Sequence, residues 1–342
     1  MTWMDDNRLP GEEEREAEQP PLVEDGGGVE TAGFTIRIIR NPRSRRNAGA
    51  PSASNPQDPE IIEPRRGDTA AALRRCRDAG TDCLVIDGGD GTVRDVLTAG
   101  LGVFGDNWPA IAVLPRGKTN ALAHDLGVPD GWTWREAAQA ARRGRTAARR
   151  PLILRRADGA EPPVAGFLVG AGSFATGIEA AQDAHRLGMF GGLAVGMTVG
   201  WAVLQVLLGG ARNQWRRGQE MDIRLPPDGR PLPNRGGGEP GRRSLLLATT
   251  LTRMPLGFRP LGREREGLKL LVVDRALRRM YGAAPLILAG RSPGWLRRRG
   301  LHQLDADGLE VRFTERFILD GEFLPPGSWR IEQGPVLRFV TP

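Results

Sequence analysis

Lysine is almost missing from this chain: Lys118 and Lys269 are the only two, although lysine and arginine together number 48. Tyrosine occurs once, histidine three times and cysteine twice, and aromatic residues make up only 6% of the chain. Cys76 and Cys83 have no second pair at metal-binding spacing, and His124, His185 and His302 are scattered. A disulfide framework and a Cys/His zinc site are therefore excluded, and a reducing compartment is expected. The N-terminus carries neither a basic segment nor an apolar one of the secretory type, so no signal peptide is expected. Long apolar runs are also missing, with one exception. Met189–Leu208 is twenty residues without a charge, about the length that crosses a bilayer. Gly192, Gly196 and Gly200 give it a small-residue ridge. Its glycines, Thr198 and Gln205, and its polar flanks, favour a buried or membrane-touching helix over a span.

What is present fits a globular protein. The chain has 342 residues, 39% hydrophobic and 26% charged, enough for two ordinary domains. Its net charge of +7 is unevenly spread: residues 1–30 hold ten acids and two arginines, a net of −8, which leaves +15 for the remainder. A body that basic suits a polyanionic partner, whether nucleic acid, an anionic membrane or a phosphorylated small molecule.

Residues 1–32 are rich in Pro, Glu and Gly and poor in apolar residues, which predicts a disordered acidic tail. A first domain is expected over 33–150. Alternation in Phe34–Arg40 predicts a strand, broken by Asn41-Pro42 because the residue before proline avoids the helical region. Asp68 as N-cap and Gly80 as a stop predict a helix between them. Asp82–Asp87 and Pro109–Leu114 are short apolar runs of the kind buried on both sheet faces, and helices should follow each, over 93–101 and up to Leu126. Strand, glycine loop and helix, repeated, is the pattern of a parallel α/β sheet, whose ligands sit beyond the carboxyl ends of the strands.

Over 151–342 the pattern changes. Strand-like runs at 152–154, 164–169, 221–225, 245–250, 268–273, 309–313, 317–319 and 336–340 predict a mainly antiparallel β-sandwich. Flanking helices are expected near 174–187, 190–208 and 276–290, a loop insertion at 226–243, and a last strand free to return to the first domain.

Three segments carry chemistry. In Gly88-Gly89-Asp90-Gly91-Thr92 the glycines let backbone N–H groups approach a phosphate, and the following helix points its positive end there. Asp90 inside such a cradle would repel phosphate unless it held Mg²⁺ or accepted a proton. Gly117-Lys118-Thr119 mimics a Walker A loop, but the first glycine of that motif would fall on Ala112. Pro115 also lacks the N–H such a loop uses, so a second nucleotide-contacting loop is the simpler reading. Asp320-Gly321-Glu322 follows a strand, and its acids could share a metal or a proton. Asp-Gly is equally an ordinary hairpin turn.

Together with Asn41-Pro42-x-Ser44 and Leu114-Pro115-x-Gly117-x-x-Asn120, these segments resemble the diacylglycerol kinase catalytic family, which includes bacterial lipid kinases and sphingosine and ceramide kinases. The resemblance runs from about Phe34 to Pro342. Gly-Gly-Asp-Gly-Thr alone is shared with NAD kinases and phosphofructokinases. The family resemblance implies an ATP-binding α/β domain, a lipid-binding β-sandwich domain and catalysis in the cleft between them. On that likeness Asn41, Pro42, Arg43 and Ser44, Gly88, Gly89, Asp90, Gly91, Thr92 and Val93, and Gly117, Lys118, Thr119 and Asn120 contact ATP. Asp90, Asp320 and Glu322 are catalytic, and Asp90 also holds Mg²⁺. The hydrophobic 190–208 helix falls where the family has a helix of its lipid-binding domain. Lys118 stands where many bacterial members have a hydroxyl, Ala121 where they have a metal-linked acid, and Arg94 where asparagine is common. The structural metal motif Asp-Asp-Gly is here Arg265-Glu266-Gly267, so that metal is not expected. Asn120 to Ala123 is similar to the sphingosine kinase branch.

The expected activity is ATP-dependent phosphorylation of a hydroxyl on diacylglycerol, a sphingoid base or ceramide. A soluble NAD-kinase-like enzyme and a catalytically weak lipid-binding regulator are the alternatives. The expected partners are a lipid substrate and an anionic membrane surface, reached through arginine runs at 142–145, 149–150 and 297–299. Nucleic acid is not expected, a homodimer is left open, and the expected place is the cytoplasm, peripheral to the inner face of the membrane.

Overall fold

The computed structural model describes residues 33–47, 58–177, 179, 217–237, 239, 241–254, 257–275 and 277–342. The expected tail at 1–32, the 190–208 helix and most of the 174–187 helix lie outside the described residues. Among those described, no helix is long and apolar enough to cross a membrane.

The first sheet is built from buried apolar runs. Its strands are β1 (Ile36–Arg40), β2 (Glu60–Ile62), β3 (Cys83–Gly88), β4 (Ala110–Pro115), β5 (Thr146–Arg149) and β19 (Leu337–Val340), in the order β2-β1-β3-β4-β19-β5. The first four run parallel, with Ile38 opposite Val85 and Val85 opposite Ala112. Leu84, Val85 and Ile86 are fully buried, as expected of a strand covered on both faces. Helices α1 (Thr69–Asp78), α2 (Asp90–Phe104) and α4 (Trp134–Arg142) supply apolar faces, and α3 (Ala121–Asp125) is a short link after β4. β19 lies parallel to β4 and antiparallel to β5, pairing Phe339 with Ile111 and with Ala147.

Two antiparallel sheets follow. One contains β6 (Leu152–Arg156), β7 (Val164–Gly166), β9 (Gln219–Leu225), β10 (Arg230–Pro231), β15 (Gly308–Phe313) and β18 (Gly327–Gln333), with β11 (Arg242–Arg243) at the side of β9. The other contains β8 (Leu168–Gly172), β12 (Leu245–Thr249), β13 (Leu268–Val273), β14 (Leu301–Ala306), β16 (Phe317–Leu319) and β17 (Glu322–Leu324). Leu154, Ile223, Val311 and Trp329 of the first share a core with Val169, Leu246, Leu270 and Phe317 of the second. Phe317 stacks on Phe313 at 4.2 Å and meets Trp329 edge-on at 5.4 Å. The chain thus joins an α/β sheet domain to a mainly antiparallel sandwich.

Two sequence expectations are corrected. The run 164–169 is not one strand: it breaks at Phe167, so β7 joins one sheet and β8 the other. The helix near 276–290 is two short ones, Arg278–Gly282 and Ala284–Leu288, because Pro285 cannot continue the first and starts the second.

Candidate active site

Three loops meet at the carboxyl ends of β1, β3 and β4. A Cβ on Gly88 would lie 2.4 Å from Thr92 Cβ, and one on Gly89 would lie 2.7 Å from Gly117 Cα. The first glycine loop and the second therefore touch backbone to backbone, which only glycine permits. Arg116 N–H donates to Gly88 O at 3.1 Å and stitches them further. Asn120 adopts a left-handed φ of 50°; its Oδ1 accepts Gly117 N–H at 2.7 Å, closing the second loop on itself.

The Asn41 loop is tied to the same place. Asn41 N–H donates to Asp87 O at 3.1 Å, its Nδ2 donates to Thr92 Oγ1 at 2.9 Å, and its Oδ1 accepts Arg43 N–H at 3.0 Å. Asn47 Nδ2 bridges Asn41 O and Asp87 O, each at 3.1 Å. Asn47 was missed by sequence reasoning, as was Asp87, whose carboxylate pairs with Arg116 at 2.9 Å and with Arg40 at 3.6 Å. Pro42 follows Asn41 in this turn, and Ser44 is buried. Among the other sequence candidates, Val93 is buried in the sheet core, with only its backbone near the loop. Gly91 has open space around it. Lys118 and Thr119 are exposed, and Lys118 forms no ion pair among the described residues.

Asp90 is the first residue of α2. Its Oδ1 accepts Ala121 N–H at 2.7 Å, so it reaches the start of α3. Burial raises its pKa, while backbone N–H groups at Ala121, Asn120 and Leu122 pull the other way. Asp320 comes from the sandwich. It has a left-handed φ of 48°, and its carboxylate accepts Phe167 N–H at 3.0 Å and Leu168 N–H at 2.9 Å. The break between β7 and β8 supplies those donors. A Cβ on Gly166 would lie 2.6 Å from Asp320 Oδ2, so that approach requires glycine.

Burial, and then the charge of Asp90, push Asp320 up to about 7, against its backbone donors and Arg94, which lower it. Glu322 stands apart from this pair. It is exposed, and its carboxylate pairs with the Arg94 guanidinium, which also holds Asp95 Oδ1 at 2.8 Å. Of the two readings of Asp-Gly-Glu, the hairpin turn is the one the structure shows: Asp320-Gly321 is the two-residue turn of β16–β17, and its two acids go to different partners, Asp320 to the Phe167 and Leu168 N–H groups and Glu322 to Arg94.

Among the described residues no three metal-type side chains cluster. Asp90, beside the glycine loops at the start of α2, is the residue that would hold Mg²⁺, whose remaining ligands would be phosphate oxygens and water. Two cavities lie away from these loops, one of about 90 Å³ beside His124 and Phe258, the other of about 570 Å³ beside Arg155 and Glu332.

Residues 38–150 match the diacylglycerol kinase catalytic domain. The resemblance drawn from the motifs is thereby borne out, and the matched segment holds every loop candidate, whereas Asp320 and Glu322 lie beyond it. A 65-residue stretch is 37% identical to the probable lipid kinase YegS of Shigella flexneri, covering 19% of this chain and 22% of the relative. The same figures hold for the probable lipid kinase YegS of Escherichia coli O1:K1. The chain thus matches about a fifth of the length of these curated relatives. The structure of a diacylglycerol kinase from Bacillus anthracis str. Sterne superposes with a TM-score of 0.57 at 15% identity, over 92% of this chain and 99% of that one. At that identity the likeness is one of fold.

Proposed function

We propose that this chain is an ATP-dependent lipid kinase that phosphorylates a lipid hydroxyl. The observation that supports the reading best is the pair of glycine loops that touch at Gly89 and Gly117, with Asp90 beside them at the start of α2 and its charge acting on Asp320. Backbone N–H groups of Gly88 to Thr92, with the positive end of α2, would cradle the nucleotide phosphates. Asn41 and Asn120 hold the flanking loops in shape for that task, and Lys118, exposed at the rim, adds a mobile positive charge. Mg²⁺ held between Asp90 and the phosphates would neutralise charge on the transferred phosphoryl.

Asp320 is the base in this reading. It takes the proton of the lipid hydroxyl, the hydroxyl oxygen bonds to the γ-phosphorus, and the bond to the β-γ bridging oxygen breaks to leave ADP. A carboxylate tuned to about 7 is well matched to that step near neutral pH. The substrate is diacylglycerol, a sphingoid base or ceramide at an anionic membrane surface on the cytoplasmic side. Purified protein with radiolabelled ATP across a panel of these lipids, with Asp90→Asn as the blank, tests the reading. Labelled phospholipid from the wild type alone supports it; phosphorylation of NAD and of no lipid overturns it.

A further inference from the structure

Phe258, Leu286, Trp295 and Val336 are the large apolar side chains exposed among the described residues. Three of them rise from one part of the sandwich. Helix Ala284–Leu288 is wholly apolar, Ala-Pro-Leu-Ile-Leu, yet buries none of its residues. The segment carrying Phe258 lies against its end, since Arg259 N–H donates to Leu288 O at 2.7 Å. Trp295 lies in helix Gly294–Arg298, whose Leu296 is buried with Leu261, Met280 and Ala283 in one small core. Beneath Phe258, Leu261 and Met254 line the 90 Å³ cavity. An apolar patch exposed in this way marks a contact surface.

Charge indicates what the surface contacts. From Arg275 to Gly300 the chain has seven arginines and no acid. Arg275, Arg279, Arg291, Arg297, Arg298 and Arg299 are exposed, and none of these six pairs with an acid among the described residues. By contrast, Arg253 and Arg259, just outside, share Glu264 at 3.5 and 3.2 Å. Aromatic and aliphatic side chains standing exposed among unpaired arginines form an interfacial element: the apolar groups enter the acyl boundary while the guanidinium groups meet anionic headgroups. A second copy of the chain would bring like charge to like charge. Nucleic acid would answer the charge but leave Leu286, Trp295 and Phe258 without a role.

We propose that this face, Phe258, Leu286 and Trp295 with Arg291, Arg297 and Arg298, docks on an anionic lipid bilayer. The proposal rests on the lipid-kinase reading for its purpose and assigns the surface by which the chain reaches its substrate, but docking is measurable without turnover. The full chain is sedimented with phosphatidylcholine vesicles, with and without phosphatidylglycerol, in the absence of ATP. Binding is expected only with the anionic lipid, and Arg297→Glu with Arg298→Glu should weaken it at least tenfold, each arginine near the surface being worth about fivefold. Brominated acyl chains should quench tryptophan fluorescence of the wild type more than that of Trp295→Phe.

An unchanged melting temperature shows that the variants are folded. Equal binding to both vesicle types, or equal quenching in Trp295→Phe, overturns the proposal. So does tighter binding to duplex DNA than to vesicles, or a dimer that the charge reversal abolishes. A water-soluble short-chain diacylglycerol separates the two claims. Docking variants that keep activity on it while losing activity on vesicles support the face; a wild type that phosphorylates no lipid sinks the kinase reading and leaves the vesicle result standing.

Discussion

Arg94 joins α2 to β17 by pairing with Glu322, one helical turn beyond Asp90. The pair divides the three acids into two kinds. The charge of Asp90 acts on Asp320, while Glu322 is neutralised by a guanidinium. Asparagine at 94 would leave Glu322 without that partner and remove a charge that lowers Asp320.

Arg94→Asn is therefore expected to move the acidic limb of the kcat/KM profile upward from about 7, because the base then holds its proton to higher pH. The profile on one lipid substrate, measured for both proteins, checks this. An acidic limb that stays in place would show that Asp320 is not the titrating base.

Asp320→Asn should lower kcat by about 10² to 10⁴-fold, the usual contribution of a positioned base, and Glu322→Gln by far less. Steady-state rates for the two variants side by side decide the assignment.

Stability should respond to pH in the less common direction. Asp320 titrates near 7 in the folded chain against an ordinary 3.8, so between those values the folded state binds more protons than the unfolded one. The wild type then loses stability as pH rises through that window, by roughly a few kcal/mol in the limit. Asp320→Asn removes the effect, so its melting temperature should gain on the wild type as pH is raised from 4 to 8. Differential scanning calorimetry at several pH values measures the gain.

Gly89→Ala forces a methyl group to within 2.7 Å of Gly117 Cα. Nucleotide affinity, read by calorimetric titration with ADP, should fall at least tenfold. Gly91→Ala, in open space, should cost much less.

A stability test lies far from the site. Asp274 is buried and accepts from Arg243, from His302 Nε2 at 3.0 Å and from Arg235 N–H at 2.7 Å. Asp274→Asn leaves the Arg243 charge buried and should destabilise by about 3–5 kcal/mol, read by urea unfolding. These partners hold Asp274 below the usual carboxylate range despite burial, so its contribution is present above the ordinary carboxylate pKa and lost as pH falls through the lowered one.

The parallel sheet was legible because Leu84–Ile86 and Ile111–Leu114 are unbroken apolar runs, a local signal that burial on both faces requires. The glycine loops were legible for the same local reason. β18 was not, since Trp329 and Ile331 are the only large apolar side chains in it that face the core. β5, Thr-Ala-Ala-Arg, has none, and pairs because β19 lies beside it. Arg94 and Asn47 act through partners distant in sequence or through main-chain atoms, and neither leaves a pattern in a single chain. The 164–169 run looked continuous because the carboxylate that takes its N–H groups comes from residue 320.

The position of β19 also affects how the protein can be made. It fills the gap between β4 and β5, so the first sheet stays open until residues 337–340 leave the ribosome. A fragment ending at residue 150 would expose β4 as a bare edge and leave β5 without a neighbour.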